Sequence, residues 1–342
     1  MDRPPPRPTL HDVAARAGVS IATVSRVLNG SSPTRPETEA RVRAAIRGLG
    51  FRPNRTGREL RVGQSHTVGV LLPSLSNPIF ADSVSGIQDA ARAEGWSVLI
   101  ASSRYDAGRE HEAVEGLLSH RVGGLILTVA EADASPTLDA LDAEGLRYVL
   151  LYNQPTRPDR AFVSIDNVAA GRDAARALVA QGHRRLGMVA GRFDASDRSR
   201  LRHAGFAAAL AEAGLPPGQV LEIGFDDSAA TDALRAALAR PDRPTGLFCS
   251  TDLLALRSIA VLRDLGLRVP CDVSVIGLDG IAVGALTAPS LASIAQPAHE
   301  MGRRAFHHLL RCVGADAPAE HILLPHRLRP GSSLGAAPPS QE

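Results

Sequence analysis

Lysine is absent from the chain: all 38 basic side chains among its 342 residues are arginine. A P-loop depends on its lysine to reach nucleotide phosphates, and Schiff-base catalysis depends on a lysine amine, so both chemistries are excluded. Cysteine is nearly absent. Cys249, Cys271 and Cys312 are odd in number, widely spaced and lack a C-x-x-C, which indicates neither a disulfide framework nor a zinc site. The 11 histidines offer no i,i+4 pair with a third ligand, and His111-Glu112 is followed by Glu115 rather than by a second histidine. No metal and no cofactor are expected. There is no G-x-S-x-G nucleophile elbow and no G-x-G-x-x-G after a strand, which disfavours an enzyme. No apolar run is long enough for a membrane span, and the first residues lack the apolar stretch of a signal peptide. A reduced, cytoplasmic compartment without membrane contact is expected. Aromatic residues make up only 4% of the chain and leave few surfaces for stacking.

What is present is an uneven charge. The formal net charge is only +2, yet residues 1–66 hold 12 Arg against 5 acidic residues, a local net of +7. The remainder holds 26 Arg against 31 acids, a net of −5. A basic head on a mildly acidic body is the electrostatic footprint of a nucleic-acid binder.

The head reads as three short helices. Thr9 and Asp12 are spaced as a capping box, and Leu10, Val13, Ala14 and Ala17 follow as one apolar stripe. Gly18 suits a left-handed stop, and Ser20 can cap a second helix, Ile21 to Leu28, with Val24, Val27 and Leu28 inward. A third helix is expected from Pro36 to Leu49, burying Val42, Ala45, Ile46 and Leu49, with Gly50 as its stop. Two helices joined by a tight glycine turn and braced by a third make a helix-turn-helix, whose second helix lies in the major groove. Arg26 can bond guanine edges in a bidentate way, and Ile21 and Ala22 can meet a thymine methyl. Thr9, Thr23 and Ser25 suit phosphates. The expected DNA-contacting set of the head is Thr9, Ser20, Ile21, Ala22, Thr23, Ser25, Arg26 and Asn29.

The run TLHDVAARAGVSIATVSRVLNG (Thr9–Gly30), with RPETEARVRAAIRGLGFRPN (Arg35–Asn54) after it, closely resembles the head of the lac repressor (LacI/GalR) family. Arg35 stands where that family often has a capping serine. The resemblance implies a hinge that becomes helical on DNA and wedges a leucine into the minor groove. The matching residues are Pro53, Asn54, Arg55, Gly57, Leu60 and Arg61, with Asn54, Arg55, Leu60 and Arg61 as expected DNA contacts. Gly57 replaces the usual alanine, at a cost of about 1 kcal/mol in helix stability, and Glu59 sets a negative charge beside the phosphates. A hinge that orders less readily is expected.

From Thr67 the pattern changes to short apolar runs alternating with amphipathic stretches. Val68–Pro73, Val98–Ser103, Gly124–Ala130, Tyr148–Asn153, Leu186–Gly191, Gly246–Thr251 and Val273–Gly280 read as buried strands. Phe80–Glu94, Arg109–Ser119, Asn167–Gln181, Leu201–Glu212, Ser228–Ala239 and Leu253–Leu265 read as crossover helices. That alternation means parallel sheets covered on both faces. A body of this length divides naturally into two Rossmann-like subdomains. The expected fold class is therefore an all-α helix-turn-helix head on an α/β core. The expected boundaries are a disordered arm at 1–8, the head at 9–51, a hinge at 52–66, the core at 67–331 and a tail at 334–342, disordered from about Gly335. Within the core, one subdomain takes about 67–165 and 294–325, and the other takes 166–293 and 326–333.

The resemblance extends over the core, which looks like a periplasmic sugar-binding protein with its ligand between the lobes. Asp279 ends a strand and Arg202 opens the helix Arg202–Leu210; both match family positions that bind the effector. Phe225 matches an aromatic that stacks on ligand, although a core role competes for it. Asn77 and Phe80 in LSNPIFA are weaker pocket candidates, Phe80 more simply core. Asp166 reads as a helix cap that can also touch ligand. Asp252 matches a frequent acidic position, but Thr251 replaces the usual asparagine before it. Trp96 reads as packing, and His183 as a surface residue in a turn. An Asp–Arg pair suits vicinal hydroxyls, and equally a purine or another polar metabolite. The expected function is an allosteric, sequence-specific DNA-binding regulator, a repressor by family default. It would act as a homodimer on a pseudo-palindromic DNA operator, controlled by a small molecule with a sugar favoured. A solute-binding protein is the alternative; the helix-turn-helix run separates the two.

Overall fold

The computed structural model describes residues 8–29, 33–51, 65–224, 229–314 and 319–339. The chain divides into two compact units, Met1–Gln64 and Ser65–Glu342.

The first unit holds α1 (Leu10–Ala17), α2 (Ile21–Asn29) and α3 (Pro36–Leu49). Thr9 and Asp12 form a reciprocal capping box: Asp12 N donates to Thr9 Oγ1 at 3.4 Å, and Thr9 N donates back to Asp12 Oδ2 at 2.7 Å. Those bonds hold the Asp12 carboxyl below its ordinary range. Gly18 and Gly50 end α1 and α3 in the left-handed conformation, at φ 64 and φ 61. Arg35 gives α3 no side-chain cap. Val13, Val24 and Val42, one from each helix, are fully buried together, and Phe51 closes the cluster.

The second unit is two α/β lobes. The first sheet has the order β11-β5-β4-β3-β1-β2: β1 is Thr67–Leu72, β2 Ser97–Ser102, β3 Gly124–Leu127, β4 Tyr148–Leu151, β5 Phe162–Ile165 and β11 His321–Leu324. All its pairings are parallel. The second has the order β12-β10-β9-β8-β6-β7: β6 is Leu186–Gly191, β7 Gln219–Ile223, β8 Gly246–Cys249, β9 Ser274–Asp279, β10 Ala292–Ala295 and β12 Arg327–Arg329. Only β12, against β10, is antiparallel. The central strands are buried along their whole length, as a sheet covered on both faces requires. The covering helices are α4 (Pro78–Ala93), α5 (Ala107–Ser119), α6 (Pro136–Ala143), α7 (Asn167–Ala180), α8 (Asp197–Glu212), α9 (Ala229–Leu238), α10 (Asp252–Asp264) and α11 (Ala298–Gly314). Among the described residues the chain crosses between lobes three times, after β5, after β10 and between β11 and β12.

Four sequence expectations are corrected. α8 starts at Asp197, capped by Ser196, so Arg202 lies in its second turn and does not open it. β10 runs to Ala295 in the second sheet, so the crossing into the first lobe comes after that residue and not at 294. His183 is fully buried. Its Nε2 donates to Gly335 O at 3.2 Å, which leaves Nδ1 to accept from the Thr245 hydroxyl at 3.1 Å. Burial lowers its pKa and favours this neutral form. Residues 335–339 are correspondingly ordered: Gly335 N donates to Ser274 Oγ at 3.0 Å and Ala337 N to Gln181 O at 2.8 Å.

Each lobe is organised on one helix pair in backbone contact. A Cβ on Gly171 of α7 would stand 1.9 Å from Arg202 O, and one on Gly205 of α8 would stand 1.8 Å from Val168 O. In the first lobe a Cβ on Gly86 of α4 would stand 1.9 Å from His299 O, and one on Gly302 of α11 would stand 2.0 Å from Ser83 O. A methyl group there has only backbone to push against. Gly205→Ala is therefore expected to force α7 and α8 apart and cost about 2 kcal/mol or more by chemical denaturation. An unchanged denaturation midpoint would contradict the contact.

Candidate functional site

The strand order of each sheet reverses at its first strand, between β1 and β3 and between β6 and β8. Loops leaving the carboxyl ends diverge there and open a crevice. Between the lobes it encloses about 340 Å³ of empty space, part of it open to solvent.

The first lobe contributes an aromatic wall. Phe80 stands edge-on to Tyr152, with ring centroids 5.4 Å apart, and the Tyr152 hydroxyl donates to Ile79 O at 3.0 Å. Tyr105 joins them from the turn between β2 and α5. Arg104 and Tyr105 are consecutive left-handed residues, at φ 56 and φ 58. Such a backbone costs a side-chain-bearing residue about 1–2 kcal/mol. The turn is pinned on both sides: Ser103 N donates to Leu72 O at 3.0 Å, and Asp106 caps α5 by accepting from Gly108 N at 2.8 Å.

The second lobe contributes charge. Arg198 and Arg202 line the crevice one turn apart on α8. The buried Arg202 guanidinium donates through Nε to Asn167 Oδ1 at 2.9 Å and through Nη1 to Ser250 O at 2.6 Å. Asp279, the last residue of β9, accepts from Gln296 Nε2 at 2.9 Å and, across the crevice, from Asn77 Nδ2 at 3.3 Å. Burial pushes the Asp279 carboxyl up to about 7, with the Arg202 charge opposing that rise. Burial likewise lowers Arg202 to about 10, and Asp279 opposes it. Arg202 and Asp279 thus offset one another. Gln296 Oε1 is buried without a hydrogen-bond donor among the described residues.

The lobes also meet through a polar seam. Asn153 Nδ2 donates to both Asp197 oxygens, at 2.9 and 2.8 Å, and Ala132 N donates to Asp197 Oδ2 at 3.2 Å. Arg198 Nη1 donates to Val129 O at 2.7 Å and lies 3.2 Å from Asp197 Oδ1. Beside this seam Glu110 accepts from Ala130 N at 2.6 Å, and burial raises its carboxyl to about 7.

Of the expected effector residues, Arg202, Asp279, Asn77 and Phe80 line one cavity. Asp252 does not. It is fully buried, accepting from Ser293 Oγ at 2.6 Å and Ile281 N at 2.8 Å, so its oxygens secure the turn behind Asp279, and Thr251 faces the crevice instead. Asp166 caps α7 by accepting from Ala169 N at 2.9 Å and is not part of the lining. Phe225 lies outside the described residues. Sequence reasoning missed Tyr105, Tyr152, Arg198 and Gln296. Each follows the carboxyl end of a strand or opens a helix next to one, and that position was the available signal.

On the head, Ile21, Ala22 and Arg26 are exposed on α2. The Ser20 and Thr23 hydroxyls lie 2.9 Å apart, and Ser20 Oγ also accepts from Thr23 N at 3.2 Å, so this pair caps α2. The Asn29 side chain and the hinge residues Asn54, Arg55, Gly57, Glu59, Leu60 and Arg61 lie outside the described residues. Among the described residues no group of three or more His, Cys, Asp or Glu could hold a metal, and no helix is long and apolar enough to cross a membrane.

A helix-turn-helix unit joined to a two-lobed core with a polar crevice defines a ligand-responsive DNA-binding protein. Residues 9–54 match bacterial regulatory proteins of the lacI family, and residues 175–334 match a periplasmic binding protein-like domain. The transcriptional repressor PurR of Pectobacterium carotovorum subsp. carotovorum is 33% identical over 321 residues, 93% of this chain and 94% of that protein. The lac repressor dimer bound to operator and the anti-inducer ONPF aligns with a TM-score of 0.85 at 29% identity, over 97% of this chain and 100% of that one. A complex of the transcriptional regulator CelR with cellobiose gives a TM-score of 0.71 at 32% identity, over 96% of this chain and 100% of that one. The chain belongs to the lacI family of bacterial regulatory proteins. It is an effector-controlled, DNA-binding transcriptional regulator.

Glu110 supplies a test of the seam that needs no ligand. Its raised pKa means the folded state binds a proton more tightly than the unfolded chain does, so its contribution to stability falls as pH rises from about 4.5 to about 7. Glu110→Gln keeps an acceptor for Ala130 N without the charge. Urea unfolding should show the variant gaining on the wild type between about pH 5 and about pH 8, by up to about 3 kcal/mol. An equal difference at both pH values would place Glu110 in contact with water.

Proposed function

We propose that this regulator is a repressor that acts as a homodimer in the cytoplasm on a pseudo-palindromic operator. A neutral sugar or sugar derivative in the crevice controls it, and the crevice binds that molecule without transforming it. The observation that carries the reading is the buried Arg202–Asp279 pair facing an aromatic wall across a crevice between lobes. Asp279 accepts two hydroxyls and Arg202 donates through its remaining N–H groups. Gln296 Oε1 accepts a third hydroxyl, which would satisfy an atom otherwise buried without a donor. The charges within the crevice balance, Arg202 against Asp279 and Arg198 against Asp197, which suits an uncharged ligand. The CelR–cellobiose complex supports a saccharide in a core of this shape. Phe225 and the hinge contacts Asn54, Arg55, Leu60 and Arg61 keep the roles that the family resemblance implies. Ile21, Ala22 and Arg26 read bases, and Thr9, Ser20, Thr23, Ser25 and Asn29 position the head on phosphates.

Ligand contact with both lobes favours one relative arrangement of the lobes, and that preference is the coupling free energy to DNA. A thermal-shift screen of carbohydrates and nucleobases tests the reading. A stabilising sugar whose effect both Asp279→Ala and Arg202→Ala abolish supports it. A nucleobase hit, or a sugar hit that neither variant touches, refutes it. Affinity for such a sugar should rise with pH through about 7 as Asp279 ionises, and should be flat in Asp279→Asn. On DNA, Arg26→Ala should lose about 1–3 kcal/mol of discrimination at one or two base pairs of a selected operator. Equal weakening on every sequence would make Arg26 a phosphate contact.

A further inference from the structure

Three aromatic side chains of the first lobe, Phe80, Tyr105 and Tyr152, line the crevice. Phe80 and Tyr152 are 6% and 2% exposed, stand edge to face, and the Tyr152 hydroxyl is bonded to Ile79 O. Tyr105 is half-buried, lines the same cavity as Arg202 and Asp279, and is near enough to Arg202 to influence its charge. Its backbone adds an independent indication. The turn between β2 and α5 takes a left-handed pair, Arg104 and Tyr105, where glycine would sit without strain. A bulky residue kept in a strained backbone points to a use for its side chain.

We propose that Tyr105 is an aromatic platform of the effector site, contributed by the first lobe. Its ring lies against one face of a neutral sugar while Asp279 and Arg202 hold the hydroxyls from the opposite lobe. The proposal rests on the sugar reading above. A pyranose ring has an apolar C–H face, and a tyrosine offers an apolar body with a polar tip. Pockets of this kind pair aromatic walls with a few placed polar groups. Tyr105 belongs to the first lobe, and Arg202 and Asp279 to the second. A ring held between them ties the lobes together, so its contact with Tyr105 contributes directly to the arrangement that ligand selects.

Calorimetric titration of the full-length protein with D-glucose, D-galactose, D-ribose, D-xylose, cellobiose and maltose tests this. For a sugar that binds the wild type and is lost in Asp279→Ala, Tyr105→Phe should stay within about twofold of wild-type affinity. Tyr105→Gly and Tyr105→Asn both tolerate the left-handed backbone, and should weaken binding about tenfold or more with an unfolding midpoint close to the wild type's. If either of these two folds and binds that sugar as tightly as the wild type, the proposal is overturned and the sugar reading stands. If none of the six sugars binds, both are overturned.

Discussion

The crevice depends on a contact that involves no side chain on either partner. α7 and α8 approach so closely at Gly171 and Gly205 that the Arg202 carbonyl oxygen lies where a Cβ on Gly171 would be. That approach sets the depth of Arg202 in the second lobe. It also brings Asn167, at the start of α7, within reach of the guanidinium. A pair of side chains could not do this as well, because rotamers relax and backbone does not. The first lobe repeats the device with α4 and α11 at Gly86 and Gly302. There the fixed helix start carries Asn77, which caps α4 and reaches across to Asp279. Each lobe therefore holds one cleft-facing group, Arg202 in one and Asn77 in the other, on a helix whose spacing from its neighbour is set by glycine.

Burial then determines what those groups can do. Arg202 and Asp279 are shielded from water, and each shifts toward its neutral form because the cost of burying charge exceeds what the other returns. A ligand with several hydroxyls replaces the missing water with oriented donors and acceptors. The seam around Asp197 works differently. Its carboxylate is already saturated by Asn153, Ala132 and Arg198, so it contributes to holding the lobes without calling for a ligand. One buried carboxylate still open to hydroxyls and another fully bonded lie at the same boundary, with separate tasks.

Much of this was legible beforehand. The helix ends at Gly18 and Gly50, the capping box at Thr9, and the buried strands announced themselves through local chemistry that needs no tertiary knowledge. Arg202 and Asp279 were singled out by the family resemblance, and Asp279 also by its place at the end of a strand. Other features depended on distant partners. His183 sits after Gly182 in what reads as an exposed turn, and partners far along the chain, Thr245 and Gly335, bury it. Asp252 was a candidate because it matches a frequent acidic position of the family, but Ser293 and Ile281 claim its oxygens. Tyr105 carried no motif, only its place after the carboxyl end of a strand. Its importance comes from a backbone angle and from a cavity assembled by both lobes. α11 went unread because Met301, Ala305, Phe306 and Leu309 are interleaved with histidine and arginine, which masks the apolar stripe.

The three crossings between lobes have a consequence for how such a regulator can be rebuilt. The head is one continuous stretch, so a single cut point exchanges it for another and redirects the protein to new DNA. Neither lobe is continuous: the first sheet needs β11 from the far end of the chain, and the second needs β10 and β12 on either side of α11. Moving one lobe between relatives takes coordinated splices at every crossing, and a truncation that ends before β11 breaks both sheets. Operator choice is a modular property of this chain, whereas ligand choice is woven through most of its length and must be altered residue by residue.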